Sequence, residues 1–317
     1  MDEFSFIRNY LAPLAGFGSL SLGDDIALLD NKHDYGFSTD TMVENVHFLP
    51  NIKPKSLALR LISTATSDLI AKALTPKFYS LNLTLGKKYD KAWLAEFASG
   101  LKEAQQYYNM SLLGGDTTAN ANDIVLSATV FGVIKEKVIL RSGAFIGDDI
   151  WVTRNIGDSF LGLEIAKKNL IVKSDYLLKK YLEPLCLNNL QDLLLKHATA
   201  ALDISDGLIQ DLKHLCNSSN CGANIEYNAI PLSKIAKEIL NNYPKYKEKI
   251  INSGDDYEVL FTANHAAKED ILLFSKKNQI KITHIGKIIK DKDINLFDEN
   301  NSLINITNTG FKHFALS

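Results

Sequence analysis

The chain has 317 residues, 46% hydrophobic and 23% charged, with 18 glycines, 7 prolines and 3 cysteines. That composition predicts about two globular domains and excludes a collagen-like, disordered or disulfide-stapled chain. A formal net charge of −2 gives no general attraction to nucleic acid. No uncharged apolar run approaches the roughly 18 residues of a membrane span, and residues 1–10 lack a signal-peptide pattern, so no membrane role and a cytoplasmic location are expected.

In chain order, apolar runs predict strands at 26–29 and 35–43. A helix over 54–74 follows Pro54, with Leu57, Leu61, Ala65 and Asp68 on one stripe at helical spacing. A strand (78–85), a helix (about 90–108), a short strand ending at Gly114-Gly115-Asp116 and a β-branched run (124–134) come next. After a polar stretch at 135–137, a strand at 150–153 leads through Gly157-Asp158-Ser159 into a helix. Further helices fill about 174–197. A strand at 200–204 feeds a helix at 206–215, and a helix (235–243), a strand (257–262) and a β-rich end complete the pattern. The alternation predicts a mixed α/β fold of two domains, 1–138 and 139–317.

The aspartates carry the chemistry. Gly-Asp occurs five times, at 23, 115, 147, 157 and 254, where composition alone would give about one. There is no P-loop, no complete dinucleotide fingerprint, no H-E-x-x-H and no G-x-S-x-G. Cys186, Cys216 and Cys221 lack C-x-x-C spacing, so neither zinc nor a disulfide framework is expected. Instead, carboxylates stand at the ends of elements: Asp24-Asp25, Ser38-Thr39-Asp40, Ser67-Asp68, Gly115-Asp116, Asp203-Ile204-Ser205-Asp206 and Gly254-Asp255-Asp256. Aspartate is a hard oxygen ligand and glycine permits close approach, a pairing suited to Mg²⁺ carrying phosphates. On a strand Ser38 and Asp40 share one face and Thr39 takes the other.

Several of these residues also have a plainer role. Asp24, Asp158 and Asp206 suit turns or helix N-caps. Arg141 and Arg154, flanking the second Gly-Asp-Asp, suit either a nucleotide phosphate or a salt bridge, and His47 suits simple packing. Asp68 has no such alternative, because a carboxylate on an apolar helix stripe is costly to bury without a cation. The residues alone indicate a magnesium- and phosphate-dependent enzyme.

The ordered blocks GDDIALLD (23–30), STDTMVENVHF (38–48), SDL (67–69), GGDTT (114–118), RSGA (141–144), GDSFLGL (157–163), DISDGLIQDL (203–212), GDDYEVLFT (254–262) and GFKHF (310–314) resemble the thiamine-monophosphate kinase family. That family sits within the aminoimidazole-ribonucleotide synthetase-like ATP-binding superfamily. The resemblance implies an N-terminal domain that forms a sheet or barrel across a homodimer, a C-terminal α/β domain, and transfer of the ATP γ-phosphoryl group to thiamine monophosphate. By position it implies several Mg²⁺ ions on Asp25, Ser38, Thr39, Asp40, Asp68, Asp116, Asp203 and Asp206. It implies ATP contacts at Gly115, Asp116, Arg141 and Ser205, and substrate contacts at His47, Asp255 and Phe311. No general base or covalent nucleophile is expected, since the acceptor is itself an anionic phosphate. The chain departs from the family at Ser21, Ser253, Lys72-Ala73, Arg154 and Phe311. Two alternatives stand beside this reading: another superfamily ATP-using enzyme with a different acceptor, or a non-catalytic nucleotide or thiamine-phosphate sensor. The lack of an early cysteine and of a terminal cysteine disfavours selenophosphate synthesis and hydrogenase maturation.

Overall fold

The computed structural model describes residues 20, 23–28, 35–86 and 89–305; Ser21 and Phe311 lie outside them. The first half forms a five-stranded sheet from β1 (Ala27–Leu28), β2 (Tyr35–Val43), β3 (Thr75–Leu85), β4 (Ser111–Ala119) and β5 (Val125–Val133), in the order β1-β2-β5-β3-β4. All neighbours are antiparallel except the parallel β3–β4 pair at the edge. Two helices accompany it, α1 (Pro54–Ala71) and α2 (Lys91–Tyr108). Asp90 caps α2 by accepting from the Trp93 amide at 2.7 Å, and Asn109 ends it in the left-handed region.

The second half builds a six-stranded mixed sheet, ordered β11-β8-β10-β6-β9-β7. Its strands are β6 (Asp149–Thr153), β7 (Ala198–Asp203), β8 (Gly222–Glu226), β9 (Val259–Ala263), β10 (Ile282–Ile289) and β11 (Ile294–Phe297). The helices are α3 (Asp158–Ala166), α4 (Asp175–Leu182), α5 (Gln191–His197), α6 (Leu208–Ser219), α7 (Lys234–Asn242), α8 (Lys249–Asn252) and α9 (Lys268–Asn278). Among the described residues no helix is long and apolar enough to cross a membrane.

Helix α1 is the keystone. Pro54 sets its first turn, and Leu57, Leu59, Leu61, Ile62, Ala65 and Leu69 are all buried. A helix buried on nearly every side belongs between two layers rather than on a surface, and α1 packs on β2, β3 and β5 on one side and β7 on the other. One continuous apolar cluster therefore joins Met42, Leu61 and Leu126 to Trp151, Ala201 and Phe261. The opposite face of the second sheet packs Val152, Leu202 and Leu260 against Leu212 and Leu161. Each such side chain contributes about 1.5–3 kcal/mol on burial.

The period-two alternation of the strands aims the polar residues. On β7, Ala201 faces α1 while Ala200 and Leu202 face away, so Asp203 points toward α1. On β2, Met42 joins the α1 cluster, so Ser38 and Asp40 share its face. Thr39 and Thr41 project oppositely, hydrogen-bonded to Thr129 and Ser127 at 2.9 Å each. The expected β-rich end holds β10 and β11, while the strand at 222–226 and the helix α9 add to the predicted pattern. In α9 only Ile271 is buried, which leaves no apolar stripe to read. The helix expected from 206 starts at Leu208, because Gly207 at φ +121° interrupts helical geometry.

Candidate functional site

Asp25, Asp68 and Asp203 come from a loop, the last turn of α1, and the end of β7, and a carboxylate oxygen of each lies within 4.8 Å of the others. Ser38 donates its hydroxyl to Asp68 Oδ2. Burial, then the charges of Asp203, Asp25 and Asp40, raise the Asp68 carboxyl well above its usual range, against the Ser38 hydrogen bond. Burial, then the Asp25 charge, pushes Asp203 up to about 7. Burial would raise Asp25 as well, but Lys72 and Arg141 outweigh it and hold this carboxyl low. Asp40 belongs to the same electrostatic unit, since its charge raises both Asp68 and Asp203.

Two cations face this group. Lys72 Nζ lies 2.6 Å from Asp25 Oδ2 and 3.2 Å from Asp24 Oδ1. Arg141 pairs with Asp25 Oδ1 through its guanidinium, and its backbone amide donates to Asp24 Oδ2 at 3.0 Å. Asp24 is thus a loop clasp, as its turn position suggests.

A second group abuts the first. Asp206, Asp211 and His214 bring ligand atoms within 4.8 Å of one another. The Asp211 carboxylate accepts from the amides of Asp206 and Gly207 at 3.1 and 3.0 Å. Burial, then Asp206 and Asp203, raise that carboxyl well above its usual range. Burial and the Arg141 charge lower His214 to about 4.

Beyond these, the loop carrying Gly254-Asp255-Asp256 is zipped to the 204–206 loop. The Asp255 amide donates to the Ser205 carbonyl at 2.9 Å and the Tyr257 amide to the Ile204 carbonyl at 2.8 Å. A Cβ at Gly254 would stand 1.8 Å from the Ser205 oxygen, so only glycine permits this approach. Asp255 itself sits at φ +73°, a conformation held by its surroundings. Its carboxylate meets Arg60 Nη2 at 2.7 Å and accepts from the Tyr257 hydroxyl at 3.0 Å. Arg60, buried in α1, also donates to the Tyr181 carbonyl and reaches the His47 carbonyl at 3.5 Å. His47 accepts the Val43 amide at Nδ1. One guanidinium therefore ties together the two candidate substrate residues, His47 and Asp255.

The structure brings Asp25, Ser38, Asp40, Asp68, Asp203 and Arg141 together, with Asp206 in the adjoining group and Ser205 beside Asp255. It does not bring Thr39, whose hydroxyl faces the other side of the sheet. Nor does one chain bring Gly115 and Asp116. Asp116 pairs with Asn82, and Asn82 with Ser127, which pairs with Thr41, so Asp116 stands three strand spacings, roughly 14 Å, from β2. The second Gly-Asp-Asp serves structure instead: Asp148 accepts from the Phe145 amide and the Thr199 hydroxyl, and Asp149 pairs with His265. Asp158 does not cap the backbone of α3 but holds Ser233 and Tyr176. Arg154 is an ion pair with buried Glu258 at 2.6 Å. Sequence reasoning missed Arg60 and Asp211 and left Lys72 without a role. The available signal for Arg60 was a cation set among Leu57, Leu59, Leu61 and Ile62.

The chain matches the family models for the N-terminal domain of AIR synthase related proteins over residues 23–134 and for the C-terminal domain over 146–299. It is 39% identical to the thiamine-monophosphate kinase of Haemophilus influenzae, covering 100% of this chain and 99% of that protein. It is 38% identical to that of Buchnera aphidicola, covering 92% of each. Among solved structures, AaThiL complexed with AMPPCP and TMP is 27% identical and superposes with a TM-score of 0.85 over 99% of this chain and 97% of that one.

Proposed function

The chain belongs to the thiamine-monophosphate kinase family, and from this premise we propose how its side chains serve that reaction. It transfers the γ-phosphoryl group of ATP to thiamine monophosphate, giving thiamine diphosphate. The reading for the site is that the carboxylate group between the two sheets holds Mg²⁺ through Asp25, Ser38, Asp40, Asp68 and Asp203, with Asp206 alongside. The observation that carries it is the convergence of Asp25, Asp68 and Asp203. Buried like charges raise one another's proton affinity, and divalent cations are the chemistry that relieves this.

Two anions must meet in this reaction, and a wall of aspartates repels both. Mg²⁺ held by these carboxylates would supply the missing positive charge. Arg141 adds a fixed cation at the rim of the group, while Ser205 and Asp255, zipped together, join the nucleotide side to the substrate side. Arg60 fixes Asp255 and the His47 backbone, so the cationic thiazolium meets a carboxylate already in place. The acceptor phosphate has its second pKa near 6 and is mostly dianionic at neutral pH, so no side chain need remove a proton. An acceptor oxygen attacks Pγ in line, the bond from Pγ to the bridging oxygen breaks, and ADP leaves with that electron pair. For Thr39, Gly115, Asp116 and Phe311 the resemblance is the support. The domain division at 138/139 belongs to the same proposal.

A homodimer is also proposed. All nine residues of β4 are exposed, including Leu112 at 46% and Leu113 at 64%, and an open edge strand of this length invites pairing.

The test is to incubate the protein with Mg²⁺, thiamine monophosphate and ATP made chiral at Pγ. Inversion of configuration in thiamine diphosphate is expected; retention would reveal a phosphoenzyme and overturn direct transfer.

A further inference from the structure

Lys72 follows directly on α1, one helical turn beyond Asp68, and its side chain is fully buried. Its ammonium donates to the Ala201 carbonyl at 2.5 Å and is ion-paired with Asp25 Oδ2 at 2.6 Å and Asp24 Oδ1 at 3.2 Å. Those acceptors belong to the 24–25 loop and to β7, the strand that delivers Asp203. Arg141 takes the other oxygen of Asp25. Both oxygens of the carboxylate that joins Asp68 and Asp203 thus already meet protein cations. A divalent ion reaching Asp25 meets a protein cation at either oxygen, the Lys72 ammonium or the Arg141 guanidinium, and like positive charges repel at short range in a poorly screened setting.

We propose that Lys72 is a positioning residue and a built-in counter-cation: it clamps the 24–25 loop onto the Asp68–Asp203 pair and weakens divalent binding there while no nucleotide is present. The clamp keeps the acidic group assembled without metal, where three converging carboxylates alone would push the loop away. It also makes tight metal capture depend on the phosphates that arrive with ATP. The inference rests on the metal reading of this group, and its test separates the two.

Mn²⁺ binding to the full, nucleotide-free chain is measured from the electron paramagnetic resonance signal of the free ion, for wild type, Lys72→Met, Lys72→Arg and Asp203→Asn. Lys72→Met is expected to bind Mn²⁺ at least about tenfold more tightly, and Lys72→Arg, which keeps the charge, within about threefold of wild type. Unchanged or weaker binding by Lys72→Met, or equal tightening by Lys72→Arg, overturns the proposal. Should Lys72→Met be unfolded in chelator, refolding in millimolar Mn²⁺ supports the counter-cation role, and failure to refold overturns it. Asp203→Asn should weaken Mn²⁺ binding in the otherwise native chain; if it does not, the metal reading fails, whatever Lys72 does.

Discussion

Replacing Asp203 by Asn separates function from stability. The carboxyl is 3% exposed, and burial with the Asp25 charge lifts it from 3.8 to about 7. A carboxyl raised in the folded state binds its proton more tightly there than in the unfolded chain. Folding therefore loses stability as pH climbs through the interval between the two values, from about 4 to about 7, and the loss is complete above it. Three pH units at 1.36 kcal/mol each give roughly 4 kcal/mol as the full penalty. The amide has nearly the same volume and no charge, so in chelator at pH 8.5 Asp203→Asn should be more stable than wild type by about 2–4 kcal/mol, shifting the first unfolding transition up by about 5 °C or more. At pH 4 the difference should vanish. Scanning calorimetry of both proteins at the two pH values, beside a turnover assay, checks this: stability gained, activity lost by at least about 100-fold. A variant less stable than wild type at pH 8.5 would refute the reasoning, because Asp203 would then be a stabilising group rather than one held in place against its own energetics.

Two further outcomes are expected. Arg60→Lys keeps the charge but cannot span Asp255, Tyr181 and the His47 carbonyl at once; KM for thiamine monophosphate should rise about tenfold with KM for ATP within about twofold, and steady-state kinetics with each substrate varied decides it. If β4 carries the proposed dimer, light scattering after size exclusion should give the mass of two chains for wild type and of one for Leu113→Glu; a dimeric Leu113→Glu would remove β4 from the interface, and a monomeric wild type would remove the dimer.

Much of this architecture is legible in the order of the residues, and its limits are physical. Helix α1 is readable because Pro54 and the Leu57, Leu61, Ala65 stripe are local properties, and Asp68 stands out because it violates that stripe. Period-two alternation likewise separates Ser38 and Asp40 from Thr39 without coordinates. Arg60 and Lys72 are harder: what defines them is a partner 195 and 47 positions away, Asp255 and Asp25, and pairing across such distances has no period. Asp211 hides for a different reason. Within a block of aspartates nothing local tells which one turns inward to bind the amides of Asp206 and Gly207. Asp116 shows the converse: its motif reads as part of the acidic set, yet β4 adds to the far edge of the sheet, and strand order is a tertiary choice that spacing does not encode.

The most direct measurement is an anomalous difference map from crystals of the full chain grown with Mn²⁺, thiamine monophosphate and a non-hydrolysable ATP analogue. The account predicts a peak about 2.2 Å from carboxylate oxygens of Asp25, Asp68 and Asp203. A fully bound nucleotide with manganese held elsewhere, and these three carboxylates contacting only protein groups, would contradict it.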